Sequence, residues 1–303
     1  MKITVFGGSG FLGSHIADAL TQNGHQVCIF DRIKSPYLQE GQEMIVGDIL
    51  DEKLVKDTVK GSDVVYNFIA LADIDEAMIA PVLTAKVNII GNVNILEACK
   101  EANVKRFIFA SSIYVYSDSG SFYRCSKQSA ELFIENYHRA YNLDYTVLRY
   151  GSLYGPRSDE RNWVYRTLKQ ALLDKQIIRE GDGQELREYI HVEDAAQLSV
   201  DILKEEFRNR CVIITGAEQI KIRDLLTMIK EMMKGEIEVQ YIKASSSEHY
   251  KITPYVFKPQ MAKKLRVKES IDMGQGLLNI MGDIHDKHVV SLDDTYIHNI
   301  VDT

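Results

Sequence analysis

Two side chains in this sequence carry an obvious chemical possibility, a phenol and an amine held one helical turn apart. Tyr123-Arg124-Cys125-Ser126-Lys127 places Tyr123 and Lys127 four residues apart, on one face of a helix. Ahead of them, Phe107-Ile108-Phe109-Ala110-Ser111-Ser112 reads as an apolar strand ending in two hydroxyls. A tyrosine titrating near ~10 is a poor base at neutral pH, so a neighbouring cation has to stabilise its phenolate. Lys127 supplies that charge. With strand end and helix start adjacent, Ser112 would hydrogen-bond a substrate oxygen while Tyr123 takes its proton and the carbon loses a hydride. The predicted chemistry is alcohol oxidation. The plainer account of Tyr-x-x-x-Lys is a solvated helix with a half-buried tyrosine.

A hydride needs an acceptor, and the start of the chain offers a place for one. Gly7-Gly8-Ser9-Gly10-Phe11-Leu12-Gly13 follows an apolar run and satisfies both G-x-G-x-x-G and G-x-x-G-x-x-G. Backbone without Cβ lets the chain turn tightly, brings a diphosphate to a helix N-terminus and packs that helix on its strand. We therefore expect Gly7, Gly10, Phe11, Leu12 and Gly13 to contact a dinucleotide. Asp31 stands directly after the second strand, where a carboxylate accepts both ribose hydroxyls. The alternative for Asp31 is a polar strand end. A carboxylate there repels a 2′-phosphate, which favours NAD over NADP, whereas the adjacent Arg32 guanidinium could hold that phosphate.

The elements that would position these groups alternate from Lys2 to Arg149. Strands are predicted at Ile3–Phe6, Val27–Phe30, Met44–Val46, Val64–Asn67, Phe107–Ala110 and Thr146–Leu148, and helices at Phe11–Asn23, Leu54–Val59, Pro81–Ala102 and Tyr123–Tyr141. That pattern is α/β, a doubly wound parallel Rossmann sheet. After Tyr150 it breaks at Gly151, Gly155 and Pro156. A smaller C-terminal α/β substrate-binding lobe is expected from 151–186 and 217–303, with 187–216 returning to the NAD-binding domain of 1–150. Glu188–Val192 and Cys211–Thr215 read as strands flanking a helix, Glu193–Leu203. Ser245-Ser246-Ser247, with His249, Tyr250 and Tyr255 close by, reads as a lid, although a loop tyrosine is more often simple packing.

Bulk properties narrow the partners. The 303-residue chain is 45% hydrophobic, enough to fill such a core, and its formal charge of −7 offers no footprint for nucleic acid or an anionic membrane. No apolar run reaches membrane-spanning length, and the first residues are too short for a secretory core. Cys28, Cys99, Cys125 and Cys211 are scattered without zinc-ligand spacing, so we expect reduced thiols, a cytoplasmic protein and no metal. Cys125 reads as a helix spacer, and His191 as a structural hydrogen-bonding group at a helix start.

Taken in order along nearly the whole chain, these motifs resemble the extended short-chain dehydrogenases that act on nucleotide sugars. Besides the glycine loop, Ser111-Ser112 and the Tyr123/Lys127 pair, the resemblance rests on Gly47-Asp48-Ile49 and Val87-Asn88-Ile89-Ile90-Gly91-Asn92. It continues through Leu148-Arg149-Tyr150, Tyr154-Gly155-Pro156-Arg157 and Arg187-Glu188-Tyr189-Ile190-His191-Val192. It implies that Asp48 and Ile49 hold the adenine and that Phe68, Ile69, Ala70, Leu71 and Ala72 line the cofactor. Asn88 and Gly151 would lie near its nicotinamide half, and Ser111 and Tyr150 would also contact the cofactor. The substrate would be a nucleotide-diphosphate sugar, contacted by Ser112, Tyr123 and Ser152, with Arg187 and Arg157 on its diphosphate; the plainer account of each arginine is a surface ion pair. The resemblance also implies a homodimer through helices matching Pro81–Ala102 and Tyr123–Tyr141.

Departures from the family pattern choose among its reactions. Members that dehydrate hexoses carry an Asp-Glu pair after the Ser/Thr position, and here Ile113-Tyr114 stands in its place. Relatives that epimerise beside a ketone, or make GDP-fucose, carry a cysteine where Ile113 stands. What is left is redox at one carbon, the sugar 4-hydroxyl: release of the ketone, return of hydride to the other face, or ketone reduction. Only ten residues separate Ser112 from Tyr123, a compact segment also found in capsule enzymes that oxidise GDP-linked heptoses at the 4-position. Ser152 replaces the asparagine of many relatives. A non-catalytic NAD-sensing Rossmann protein is the rival class, and such proteins generally lose the Tyr or the Lys.

Overall fold

The computed structural model describes residues 1–243, 263–265 and 270–298. The first part alternates as expected: β1 (Lys2–Phe6), α1 (Phe11–Gln22), β2 (Gln26–Asp31), β3 (Glu43–Val46), α2 (Glu52–Val59), β4 (Val64–Asn67), α3 (Ile74–Ile79), α4 (Pro81–Ala85), α5 (Gly91–Glu101), β5 (Arg106–Ser112), α6 (Ser121–Tyr141) and β6 (Tyr145–Tyr150). There follow β7 (Ser152–Tyr154), α7 (Trp163–Lys169), β8 (Gln176–Glu180), β9 (Leu186–His191), α8 (Val192–Asp201), β10 (Arg210–Ile214), β11 (Gln219–Lys221), α9 (Ile222–Met232), β12 (Glu238–Ile242), β13 (Lys263–Leu265) and α10 (Met273–His298).

The central sheet runs β13-β10-β6-β5-β4-β1-β2-β3, every pair parallel. β4, β5 and β6 are buried along their whole length, as a sheet covered on both faces requires. One core packs α1 and α8 on the sheet through Ile16, Leu20, Ala195 and Leu198, and the other packs α2, α5 and α6 through Val55, Leu96 and Ile134. The strand order reverses between β1 and β4, and a ligand crevice opens at such a reversal.

Two predicted elements differ from what forms. The helix expected over Pro81–Ala102 is interrupted by a π-helical turn at Lys86–Ile90, a local insertion typical of functional positions. Its cause is visible in Asn88, whose amide is bonded to Leu71 and Ser126 on neighbouring elements. The strand after Gly183 joins a separate small sheet, β11-β9-β7, instead of the central one. α8 then packs on α1, and β10 pairs with β6. A third core gathers Tyr154, Leu168, Leu226 and Ile280 from β7, α7, α9 and α10. The expected lid residues Ser245–Ser247, His249, Tyr250 and Tyr255 lie outside the described residues.

Candidate active site

The glycine loop fills the crevice at the strand reversal so closely that side chains have no room. Gly7 has φ +84°, and a Cβ on it would come within 2.9 Å of the Ile69 nitrogen; a Cβ on Gly13 would sit 2.1 Å from the Gly7 carbonyl oxygen. Gly10 caps α1 without a side-chain hydrogen bond, so no side chain competes for the first-turn amides. Asp31 is fastened to this loop: its Oδ2 accepts from the Ser9 amide at 3.0 Å, and the Ser9 hydroxyl donates to the Ile33 carbonyl at 2.9 Å. Gly47 N–H reaches the Asp31 carbonyl at 2.9 Å, which brings the exposed Asp48 and buried Ile49 to the same edge. A cradle that any Cβ would fill, an open helix start and a carboxylate at the second strand end together fit a dinucleotide. Replacing Asp31 by serine should weaken NAD binding about 10–100-fold in calorimetry, the worth of a charge-assisted contact, with no such loss for NADP. Equal losses for both cofactors would mean that Asp31 only shapes the loop.

Beyond β4, Asn88 buckles the next stretch in place. It accepts from the Leu71 amide at 2.7 Å and donates to the Leu71 carbonyl at 3.1 Å and the Ser126 hydroxyl at 2.9 Å. The loop of Phe68–Ala72 is thereby tied to the helix that carries the phenol and the amine.

Ser112, Tyr123 and Lys127 converge. Tyr123 is hydrogen-bonded to Ser112, and its pKa is pushed up to about 12 by burial, against which the Ser112 bond acts. Lys127 is buried, donates to the Ala110 carbonyl at 2.7 Å and lies 5.7 Å from the Tyr123 ring centroid. Burial pushes its pKa down to about 7, with Glu131 acting in the opposite direction. The Tyr114 ring meets Tyr123 edge-on at 6.3 Å, while Ile113 is buried against Val115, Tyr116 and Ile213. Exposed Cys125 is on α6 between them, and His191 caps α8 through a long 3.4 Å contact from the Glu193 amide.

Ser112, Ile113, Tyr114 and Tyr123, but not Lys127, Cys125 or His191, line a cavity of about 980 Å³. Ala72, Gly151 and Ser152 line it with them, and Arg187 lines the lobe side. Arg161, Arg166, Arg179 and Lys243 add positive charge, Trp163 and Tyr189 add aromatic surface, and Asp73, Asp182 and Glu185 add carboxylates.

The sequence profile of the NAD dependent epimerase/dehydratase family matches residues 3–214. The chain belongs to that family. It is 29% identical over 300 residues to a Methanocaldococcus jannaschii protein named "Putative UDP-glucose 4-epimerase", covering 92% of this chain and 97% of the relative. Among solved structures it is similar to UDP-glucose 4-epimerase from Thermotoga maritima with UDP-glucose, at a TM-score of 0.83 and 25% identity, covering 95% of this chain and 99% of that one. A variant of UDP-glucuronic acid 4-epimerase from Bacillus cereus, solved with UDP-4-deoxy-4-fluoro-glucuronic acid and NAD, shares the fold at a TM-score of 0.81 and 23% identity, covering 94% and 99%. NAD is the cofactor of this epimerase/dehydratase-family enzyme.

For a member of this family, three residues expected at the ligands point elsewhere. Arg157 has φ 64°, pairs with Asp18 at 2.7 Å and stacks on Tyr37 at 4.4 Å, clasping α1 instead of lining the cavity. The Ser111 hydroxyl turns to the opposite face from Ser112 and donates to Glu131, because side chains alternate along a strand. The Tyr150 phenol is buried and bonded to Ser199 at 2.6 Å on α8. Sequence reading also missed Arg161, Trp163 and Arg179, which carry no motif. Trp163 and Arg179 reach the cavity as a stacked pair, 5.5 Å apart.

Proposed function

We propose that this enzyme oxidises the 4-hydroxyl of a nucleotide-diphosphate sugar with NAD, as a 4-epimerase or a 4-dehydrogenase. The observation that carries the proposal is one cavity holding Ser112 and Tyr123 at one end and Arg187 on the lobe side. Its volume of about 980 Å³ is within the range of small-molecule sites. Ser112 orients the reacting oxygen, Tyr123 accepts its proton, and the Lys127 charge stabilises the resulting phenolate. NAD, when bound, supplies the hydride acceptor. Arg187 neutralises the diphosphate, and Ser152 contacts the sugar. Dehydration is disfavoured because Ile113 is buried and Tyr114 is a phenol packed on Tyr123, so neither offers a carboxyl acid or base. Ketone reduction uses the same residues in reverse, and the compact segment between Ser112 and Tyr123 keeps a GDP-heptose among the candidate substrates.

The test is a panel of UDP-, GDP-, CDP- and dTDP-sugars with purified protein and NAD, followed by NMR. An inverted carbon at position 4 identifies an epimerase, and a released ketone identifies a dehydrogenase. No change in any sugar would revive the sensing reading.

The protein is further proposed to work as a homodimer. Ile79 and Val82 are 84% and 68% exposed, and Leu83, Phe122, Leu132 and Phe133 expose apolar surface on the neighbouring helices. Ile79→Glu with Val82→Glu should convert the wild-type protein from twice the chain mass to one chain mass in light scattering. A monomeric wild type would exclude the dimer. Buried free thiols at Cys28, Cys99 and Cys211 suit a reducing compartment, which supports a cytoplasmic assignment.

A further inference from the structure

Three successive residues at the end of β5 each hold a different turn of α6. Ser112 bonds Tyr123, the Ala110 carbonyl accepts from Lys127 at 2.7 Å, and the Ser111 hydroxyl donates to Glu131 at 2.5 Å. Tyr123, Lys127 and Glu131 follow one another at four-residue intervals, so they form one stripe on the helix. Behind that stripe Arg149, the register partner of Ser111 across the sheet, forks onto Glu131 with contacts of 2.6 and 3.1 Å. Its third contact donates to the Tyr116 hydroxyl at 2.7 Å. The pair is buried, with side chains 3% and 10% exposed. Burying such a pair rarely adds stability over apolar groups of the same volume, so stability alone does not account for it.

We propose that the Arg149–Glu131 pair is a positioning device for the catalytic helix, locking α6 to the end of β5 and supplying the negative charge that keeps the Lys127 ammonium beside Tyr123. Neither residue touches the cavity. The charged and titratable groups around them are Lys127 and Glu135 on α6, Tyr116 after β5, Tyr145 on β6, and Cys211 on β10. Burial raises both Tyr116 and Cys211, leaving them neutral at physiological pH. Burial pulls Arg149 down, but its bonds to Glu131 outweigh this and hold it above its ordinary range, so it stays charged. Lys127 is already lowered by burial and raised by Glu131, so loss of that carboxylate takes it further down and removes the cation Tyr123 depends on.

The test uses the full chain. Glu131→Gln alone would leave the buried Arg149 cation without its carboxylate, so it is combined with Arg149→Met, which removes both charges. The double variant should bind NAD as the wild type does. With NAD bound, the Tyr123 ring-carbon resonance of 13C-tyrosine-labelled protein, assigned by its loss in Tyr123→Phe, should titrate about one pH unit higher than in the wild type. On the substrate found in the panel, kcat should fall about 10–100-fold with KM little changed, and its acid limb should move up in pH. A purely structural pair would move none of these readouts in a folded protein. The kinetic arm rests on the proposed reaction and falls with it if the wild type turns over no sugar, whereas the tyrosine titration decides independently. Glu131→Gln with Arg149→Gln, which also removes both charges but keeps polar groups at both positions, serves if that double variant does not fold. A folded variant with an unchanged Tyr123 titration overturns the proposal.

Discussion

Tyr123→Phe should fold, bind NAD with unchanged affinity and lose about 10²–10⁴-fold in kcat, the range that a positioned acid or base contributes. The ring is retained, so its edge-on packing with Tyr114 at 6.3 Å survives and the cavity keeps its shape. What disappears is the phenol oxygen that bonds Ser112. Burial pushes the phenol up to about 12, and it must be drawn several units down to act near neutrality. A protonated phenol cannot be the base, so kcat should fall toward acid pH, and that limb should vanish with the phenol. Steady-state rates over a pH series check both points. An unchanged kcat would mean that another group takes the proton.

Lys127→Met should lose activity on a similar scale while making the protein more stable near neutral pH. Burial lowers the Lys127 pKa from 10.5 to about 7. Between these values the unfolded chain holds a proton that the folded chain does not, so the lysine's contribution to stability rises with pH across that window. Below about pH 7 its full cost is present, and above about 10.5 none remains. Methionine carries no such cost. After allowing for the lost bond to the Ala110 carbonyl, the variant should gain on the order of 3 kcal/mol at pH 6, shrinking as the pH approaches 10. Urea unfolding at both pH values measures the difference. Equal or lower stability at pH 6 would show that Lys127 is held charged at little cost. A stable but inactive variant would show that the site keeps this amine for its charge and not for the fold.

The glycine loop and Asp31 were legible because their constraints are local: a strand, a turn with no room for Cβ, a helix start and a carboxylate after the next strand lie within one βαβ unit. Ser112, Tyr123 and Lys127 were legible for a related reason, since a helical repeat puts two of them on one face and a strand end carries the third. Arg157 misled because its motif neighbours, Gly155 and Pro156, describe a turn and not the direction of the next side chain. Its positive φ swings it onto Asp18. The alternation of side chains separates Ser111 from Ser112, and which hydroxyl faces the ligand depends on which face α6 covers.

By itself, then, the sequence determined the doubly wound sheet, the glycine cradle and the four-residue spacing of Tyr123 and Lys127, all of which follow from short-range periodicity and backbone sterics. Only the tertiary structure decided what surrounds them. The π-turn that aims Asn88 at Leu71 and Ser126, the arginines that line the cavity from the lobe, and the buried Arg149–Glu131 pair behind the helix each join residues far apart in the chain. Arg149 and Glu131 meet because two parallel strands and a helix bring them together, and a charge's effect depends on the solvent it has lost and the partner it has gained. Lys127 is a surface-type side chain in the sequence. Burial in the folded chain pushes its pKa down to about 7 and makes its charge sensitive to one carboxylate.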